Sequence, residues 1–170
     1  MGVDFPSDPE GWALEGQKNP YYCAMVETLD HYVGQLVEFL EKTDDPRNPG
    51  HKLIDNTYIF FTSDNGGHPE FSTNGPLRGS KWNLYEGGVR VPWIVRWPGR
   101  VPAGRVSDAP FIGNDLLPTL ANLVGAPARA RTQWPGKDYS SLLRNPKATP
   151  VQDYIVFTND DFQAASQNMF

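Results

Sequence analysis

Two neighbouring oxygen-bearing side chains, Asp64 and Asn65, stand between a short apolar run and the glycines Gly66 and Gly67. A carboxylate and an amide oxygen are hard ligands, which suit Ca²⁺ or Mg²⁺ and suit zinc poorly. The same residue types followed by glycine also form ordinary Asx turns at the ends of strands. The pair by itself therefore favours the turn and leaves a metal site as the alternative.

Two cationic side chains, Arg78 and Lys81, follow on either side of Gly79. The Arg guanidinium is a planar fork that fits an oxyanion, and the Lys ammonium is a compact charge on a flexible stem. Glycine lets the backbone approach a ligand closely. A solvated loop with ordinary salt bridges is the competing interpretation and is favoured for this segment alone. His68, which lies between the two groups, is most simply a solvated histidine.

A long helix and a strand must position these residues. Apolar side chains recur at helical spacing through 20–41, after the helix-start pair Asn19 and Pro20, which predicts a long amphipathic helix. The run 57–62 is β-branched and aromatic without alternation, which predicts a strand buried on both faces in a parallel sheet. Because ligands of open α/β sheets sit beyond the carboxyl ends of strands, Asp64 lies where a site is expected.

The later elements continue the alternation of strands and helices. We predict a strand at 91–97, an extended piece near 111–112, a helix at 115–124 capped by Asn114 and stopped by Gly125, and a strand at 154–157. This order predicts an α/β fold with a mostly parallel sheet flanked by helices. Three strands are few for such a sheet, since each needs neighbours, so we expect part of the domain to be missing.

Composition excludes several functional classes. The chain of 170 residues has a net charge of −5, so a nucleic-acid binder with a basic face is not expected. The single cysteine, Cys23, excludes an internal disulfide and a CxxC metal site. No apolar run approaches the roughly 18 residues that cross a bilayer, so no membrane association is expected. The first ten residues are polar, so no signal peptide is expected there.

Three sequence motifs, in this order and at this spacing, resemble those of the sulfatase family, within the alkaline phosphatase-like superfamily. They are Phe-Thr-Ser-Asp-Asn-Gly at 61–66, Pro-Leu-Arg-Gly-Ser-Lys at 76–81 and Tyr-Glu-Gly-Gly-Val-Arg-Val-Pro at 85–92. The resemblance covers about 20–145 and is expected to continue to 161. It implies that 1–170 is a single truncated domain, namely the carboxy-terminal part of a sulfatase catalytic domain with a partial alkaline phosphatase-like fold.

The resemblance implies roles for individual residues. Asp64 and Asn65 would coordinate one divalent cation, usually calcium in this family, and Lys81 would contact a sulfate oxygen as a catalytic and substrate-binding residue. A fixed cation there would stabilise the charge that builds up in the transition state, and a metal would polarise the same group as a Lewis acid. Arg78 and His68 are further candidates for substrate contact, although we expect Arg78 to brace the loop by pairing with an acid.

The nucleophile of the family has no counterpart in this sequence. Sulfatases convert a Cys or Ser in a Cys/Ser-x-Pro-x-Arg signature into formylglycine, and no such signature occurs here. Cys23 lies on the apolar side of the predicted helix, where a buried structural thiol is expected. We therefore expect a fragment that is inactive alone and binds calcium feebly, since two ligands fall short of the about 6–8 that calcium prefers. Surfaces exposed by truncation should promote self-association.

Two alternative functions stay open. A phosphoesterase of the same superfamily typically has Asp-His in place of Asp64 and Asn65 and needs several histidines, whereas this chain has three. A non-catalytic module that binds an anion or a partner protein would explain the absent nucleophile, but it need not retain Asp64, Asn65 and Lys81. For a sulfatase, the substrate would be a sulfated small molecule or a sulfated polysaccharide. Localisation is not determined by this chain, and the parent protein would be exported if it follows many bacterial sulfatases.

Overall fold

The computed structural model describes residues 19–127, 134–145 and 148, which are called the described residues below. The chain divides into two compact units, Met1–Pro98 and Gly99–Phe170. The elements in order are α1 (Pro20–Lys42), a 3-10 turn (Leu53–Asn56), β1 (Ile59–Thr62), α2 (Glu86–Val89), β2 (Trp93–Arg96), α3 (Gly113–Leu123) and α4 (Ser140–Arg144). The predicted strand at 154–157 lies outside the described residues. None of the helices in the described part of the chain is long and apolar enough to cross a bilayer.

Helix α1 confirms the prediction for 20–41. The buried Asn19 side chain accepts hydrogen bonds of 3.0 Å from the amides of Tyr21 and Tyr22, and Pro20 fills the first position, where an amide hydrogen would have no partner. At the other end, the amide of Thr43 donates to the carbonyl of Phe39. The boundaries were predictable because the cap, the proline and the apolar periodicity are all local features.

The apolar face of α1 is exposed in the described structure. None of the helix residues is buried, and the large apolar side chains with more than half of their surface exposed are Met25, Leu29, Tyr32, Leu36 and Phe39. Cys23 is exposed as well. The expectation of a buried thiol was therefore wrong: the periodicity identified the apolar side of the helix correctly, but the described residues do not cover it.

Strands β1 and β2 form a two-stranded antiparallel sheet, in which Ile59 lies opposite Arg96 and Thr62 opposite Trp93. The α/β class with helices beside a sheet is confirmed, but the parallel direction was wrong for this pair. The physical reason is the connection between the strands. The amide of Gly66 donates a 2.8 Å hydrogen bond to the carbonyl of Gly88, so the chain enters β2 beside the end of β1 that it has just left. A strand parallel to β1 would need a crossover connection that carries the chain back to the beginning of β1.

Aromatic side chains hold the two strands together. The rings of Tyr58 and Trp97 are edge-on with centroids 4.0 Å apart, and those of Phe60 and Trp93 lie 5.9 Å apart. Such cross-strand pairs stabilise a sheet by about 0.2–1 kcal/mol each. The strand at 57–62 was expected to be buried on both faces, yet Ile59, Phe60 and Phe61 are only partly buried. The absence of alternation therefore reflects aromatic pairing across the strands more than complete burial.

In the second unit, helix α3 begins earlier than predicted. The carboxylate of Asp115 accepts a 3.0 Å hydrogen bond from the amide of Ile112, so Ile112 is the capping position and Asn114 lies in the first turn. The predicted cap was wrong because an acid three residues after the cap can reach back to its amide. Asp115 is 1% exposed and also accepts a 2.7 Å bond from the amide of Lys137, which fixes the segment before α4.

The end of α3 and its contact with α4 complete this unit. Gly125, with φ of +70°, donates to the carbonyl of Asn122, and Ala126 donates to that of Ala121. These two bonds define the Schellman motif, and they confirm Gly125 as the stop. Tyr139, which is 2% exposed, donates its amide to the buried Thr119 hydroxyl at 2.9 Å, next to the α3–α4 contact.

Candidate functional site

The predicted site residues lie in the connection 63–92 between β1 and β2, here called the site loop. Two main-chain hydrogen bonds close it. Gly66 donates to Gly88 at 2.8 Å, and Lys81 donates to the carbonyl of Gly67 at 3.0 Å. Lys81 is 17 positions beyond Asp64 in sequence, yet its main chain lies beside the segment that begins with Asp64 and Asn65. The structure thus brings the main chain of Lys81 beside Gly67, three residues after Asp64.

Glycines make this closure sterically possible. A Cβ atom on Gly66 would lie 1.7 Å from the carbonyl oxygen of Gly87, which is far inside any allowed contact. A Cβ atom on Gly87 would lie 2.1 Å from the carbonyl oxygen of Gly79. Asn74 adds a side-chain brace: its Oδ1 accepts from the Gly67 amide at 2.8 Å, and its amide donates to the Gly79 carbonyl at 3.2 Å. Sequence reasoning missed Asn74, since nothing in its own segment shows where its partners lie.

Asp64 and Asn65 form a turn at the end of β1. Asp64 is exposed, and its Oδ1 accepts from the Asn65 amide at 3.0 Å and from the Ser63 hydroxyl at 3.4 Å. The Asn65 side-chain amide donates to the carbonyl of Gly66 at 2.9 Å. The turn uses one oxygen of Asp64 and the nitrogen of Asn65, whereas Asp64 Oδ2 and Asn65 Oδ1 accept no hydrogen bond from a described residue. The turn and metal interpretations are therefore compatible.

These two oxygens fit part of a site for a hard cation. Both are of the oxygen type that calcium and magnesium prefer, but two is well short of the about 6–8 that calcium takes. Within the described residues, no group of three or more His, Cys, Asp or Glu side chains is placed to hold a metal ion. Further ligands would have to come from other residues or from water.

Lys81 is half-buried and Arg78 is exposed, and each lies near an aromatic ring. The Lys81 ammonium is 5.8 Å from the centroid of Trp82, and it forms no ion pair with a described carboxylate. The Arg78 guanidinium lies 3.9 Å from the centroid of Tyr85, a cation–π contact worth about 0.5–1 kcal/mol at an exposed position. We expected an acid as the partner of Arg78, but the structure shows a tyrosine. The next acid along the chain, Glu86, pairs instead with Arg90 at 3.1 Å.

His68 belongs to an aromatic cluster that the sequence did not reveal. Its ring stacks on Phe71 with centroids 4.6 Å apart and meets Trp82 edge-on at 4.7 Å. Its Nδ1 accepts a 3.2 Å hydrogen bond from the Glu70 amide. His68 is thus packed and partly buried, not simply solvated as the preferred interpretation held. Trp82 has φ of +78°, a conformation that costs a non-glycine residue about 1–2 kcal/mol.

Comparison with known proteins identifies the family. A family model described as Sulfatase matches residues 4–126. The chain belongs to the sulfatase family. It is 39% identical over 126 residues to a sulfatase of Formosa agariphila, covering 72% of this chain and 23% of that protein. It is 37% identical over 143 residues to human steryl-sulfatase, covering 79% of this chain and 23% of that enzyme. This sulfatase chain therefore spans about a quarter of the length of these relatives, as expected for a partial catalytic domain.

Solved structures confirm the alkaline phosphatase-like fold class. Ps i-CgsB, determined in complex with k-i-k-neocarrahexaose, superposes with a TM-score of 0.65 at 34% identity, covering 82% of this chain and 30% of that one. A Bacteroides thetaiotaomicron sulfatase described with glycosaminoglycan metabolism superposes with a TM-score of 0.60 at 28% identity, covering 78% and 25%. Membership of the sulfatase family also favours the sulfatase interpretation over the phosphoesterase alternative.

Proposed function

We propose that this chain forms part of the active site of a sulfuric ester hydrolase and that Lys81 binds the sulfate group of the substrate. The observation that supports the proposal is the hydrogen bond from the Lys81 amide to Gly67, which lies three residues after Asp64. An ammonium without a described carboxylate partner is suited to an anion. In this role Lys81 would stabilise the negative charge that accumulates on the sulfuryl oxygens during cleavage.

Asp64 Oδ2 and Asn65 Oδ1 would hold a divalent cation, for which calcium is the best match to their hard oxygens. When bound, such an ion supplies Lewis-acid polarisation of the sulfate group. The chain's own contribution is to orient the two ligands: the hydrogen bonds of the turn fix Asp64 Oδ1 and the Asn65 nitrogen, and so leave Asp64 Oδ2 and Asn65 Oδ1 available. With two ligands, the chain alone would bind calcium weakly.

The nucleophile would come from outside these 170 residues. Sulfatases use formylglycine made from a Cys or Ser in the Cys/Ser-x-Pro-x-Arg signature, which this sequence lacks. We therefore expect no turnover of aryl sulfates by the chain alone. The substrate of the whole enzyme would be a sulfated small molecule or polysaccharide. The complex of a structural neighbour with k-i-k-neocarrahexaose supports the saccharide.

A second copy of the chain would cover the apolar face of α1. Five large apolar side chains on this helix have more than half of their surface exposed: Met25, Leu29, Tyr32, Leu36 and Phe39. Contiguous exposed apolar surface favours association, since burying it removes it from water. The same helix on a second molecule offers an equally apolar, self-complementary surface, as a twofold dimer requires.

The experiment that tests the sulfate site compares anion binding by matched lysine variants. Isotope-labelled chain is titrated with sodium sulfate, against sodium chloride at equal ionic strength, and backbone amide shifts are followed by NMR. We expect sulfate to shift the amides of residues 64–67 and 81, and Lys81→Gln to abolish these shifts. Lys42→Gln, which removes an exposed lysine paired with Glu38 on α1, is the control and should leave them unchanged. Equal sulfate response in all three proteins would contradict the proposal.

A further inference from the structure

The aromatic cluster, defined as His68, Phe71 and Trp82, borders the proposed sulfate site. Trp82 follows Lys81 directly, and the Lys81 ammonium lies 5.8 Å from the centroid of the indole. His68 follows Gly67, the residue that anchors the Lys81 main chain. The cluster is therefore attached to both segments that meet at the site. Neither Phe71 nor Trp82 belongs to the three sulfatase motifs.

The position of Trp82 is fixed by its backbone and by its neighbours. The amide of Asn83 donates to the Ser80 carbonyl at 3.2 Å, and the Ser80 amide donates to Asn83 Oδ1 at 3.2 Å. Trp82 is the third residue of this turn and has φ of +78°, a conformation for which glycine is ordinarily preferred. A bulky residue held there is unfavourable for folding, and such outliers concentrate at functional sites. The His68 ring, itself stacked on Phe71, supports the indole.

Half of the Trp82 side chain is nevertheless available to a ligand. The residue is 47% exposed even though it contacts the His68 ring. A sulfate oxygen bound to Lys81 would lie about 2.8 Å from the ammonium. In a sulfated sugar, the ring is separated from the sulfur by the bridging ester oxygen and, in a 6-sulfate, by one further carbon atom, C6. An indole centred 5.8 Å from the ammonium is thus within contact distance of that ring.

We propose that Trp82 is a specificity-determining residue that packs against the apolar face of the sugar ring bearing the sulfate ester. The proposal rests on the function proposed above, since Lys81 must bind the sulfate for the ring to reach the indole. A sulfated sugar has the required combination of a charged group and an apolar ring face, which matches an ammonium next to an exposed indole. His68 and Phe71 are positioning residues that hold the indole in place.

The test compares the binding of two anions by the wild-type chain and by variants at positions 81 and 82. Galactose 6-sulfate and inorganic sulfate are titrated into the wild-type chain and into Trp82→Ala, Trp82→Phe and Lys81→Gln, with affinities taken from amide shifts in NMR. We expect Trp82→Ala to weaken galactose 6-sulfate binding about three- to tenfold, the range for loss of an aromatic contact, and to leave inorganic sulfate binding unchanged. Trp82→Phe should retain most of the sugar affinity. Leu84→Ala, which alters an equally exposed apolar residue of the site loop, is the control.

The outcomes separate this proposal from the one on which it rests. If Lys81→Gln abolishes binding of both anions while Trp82→Ala binds the sulfated sugar as tightly as wild type, the sulfate site stands and the role of Trp82 is overturned. If the wild-type chain binds neither anion, both proposals fall. Nitrophenyl sulfate that binds more tightly than galactose 6-sulfate, with the same dependence on Trp82, would overturn the assignment to sugars. Dispersed amide spectra of each variant check that it is folded.

Discussion

The main-chain amide of Lys81 donates a 3.0 Å hydrogen bond to the carbonyl of Gly67, and Gly67 lies three residues beyond Asp64. This bond joins the residue after the first sulfatase motif (61–66) to the last residue of the second (76–81) across a long loop. It acts together with the bond from Gly66 to Gly88, and both depend on close approach of main chains. The position of Lys81 relative to the Asp64 turn therefore depends on the glycines of the site loop.

Replacement of Gly66 by alanine should open the site loop. The added Cβ would lie 1.7 Å from the carbonyl oxygen of Gly87, so the main chain must shift. We expect a loss of about 1–3 kcal/mol in the free energy of unfolding, the usual cost of overpacking, measured by urea denaturation. Gly34→Ala is the matched control. A Cβ atom at Gly34 in α1 meets nothing within 4 Å, so this change should stabilise the chain by about 0.5–1 kcal/mol. Equal stability of the two variants would contradict the steric account.

Asp115 and Asn114 provide a second matched pair. Asp115 is 1% exposed and accepts the amides of Ile112 and Lys137, so Asp115→Ala should leave two amides short of a partner. We expect destabilisation of about 2–4 kcal/mol, read from the loss of helical circular dichroism on heating. Asn114→Ala should change stability by less than about 0.5 kcal/mol, as for a surface substitution. A larger effect at Asn114 would restore it as the cap of α3.

Self-association should depend on the apolar face of α1. We expect sedimentation analysis of the wild-type chain to show a mass that rises with concentration. The double substitution Leu29→Glu and Leu36→Glu should give a monomer, because charges on this face oppose its burial. Gln35→Glu, on the same helix at an exposed polar position, should associate like wild type. A wild-type monomer at the highest attainable concentration would reject the interface.

The acidity of Glu38 should reflect its pairing with Lys42 one turn later. The hydrogen bond from the Lys42 ammonium and its charge hold the pKa of the Glu38 carboxyl below its ordinary value. A lowered pKa means that the pair stabilises the folded chain above the ordinary pKa of about 4.5, and that this contribution is lost as the pH falls through the folded value. An NMR titration of the Glu38 carboxyl should show the lowered midpoint, and Lys42→Gln should raise it. An unchanged midpoint in the variant would mean that Lys42 is not the cause.

The features that the sequence determined by itself are local. Helix α1 follows from Asn19, Pro20 and the apolar repeat, because a cap and an amphipathic pattern act within a few residues of one another. The end of α3 follows from Gly125, the residue best suited to the φ of +70° found there. The three sulfatase motifs were also recognisable, since their residue types and spacing are specific. Each of these inferences needs only neighbours in the chain.

The tertiary structure alone decided what depends on the return path of the chain. The antiparallel direction of β2 is set where Gly66 meets Gly88, and no residue type between them predicts that contact. The pairing of Arg78 with the Tyr85 ring, and the meeting of His68 with Trp82, depend on the same closure. Residue type specifies which contacts a side chain can make, but backbone geometry over many residues selects the partner.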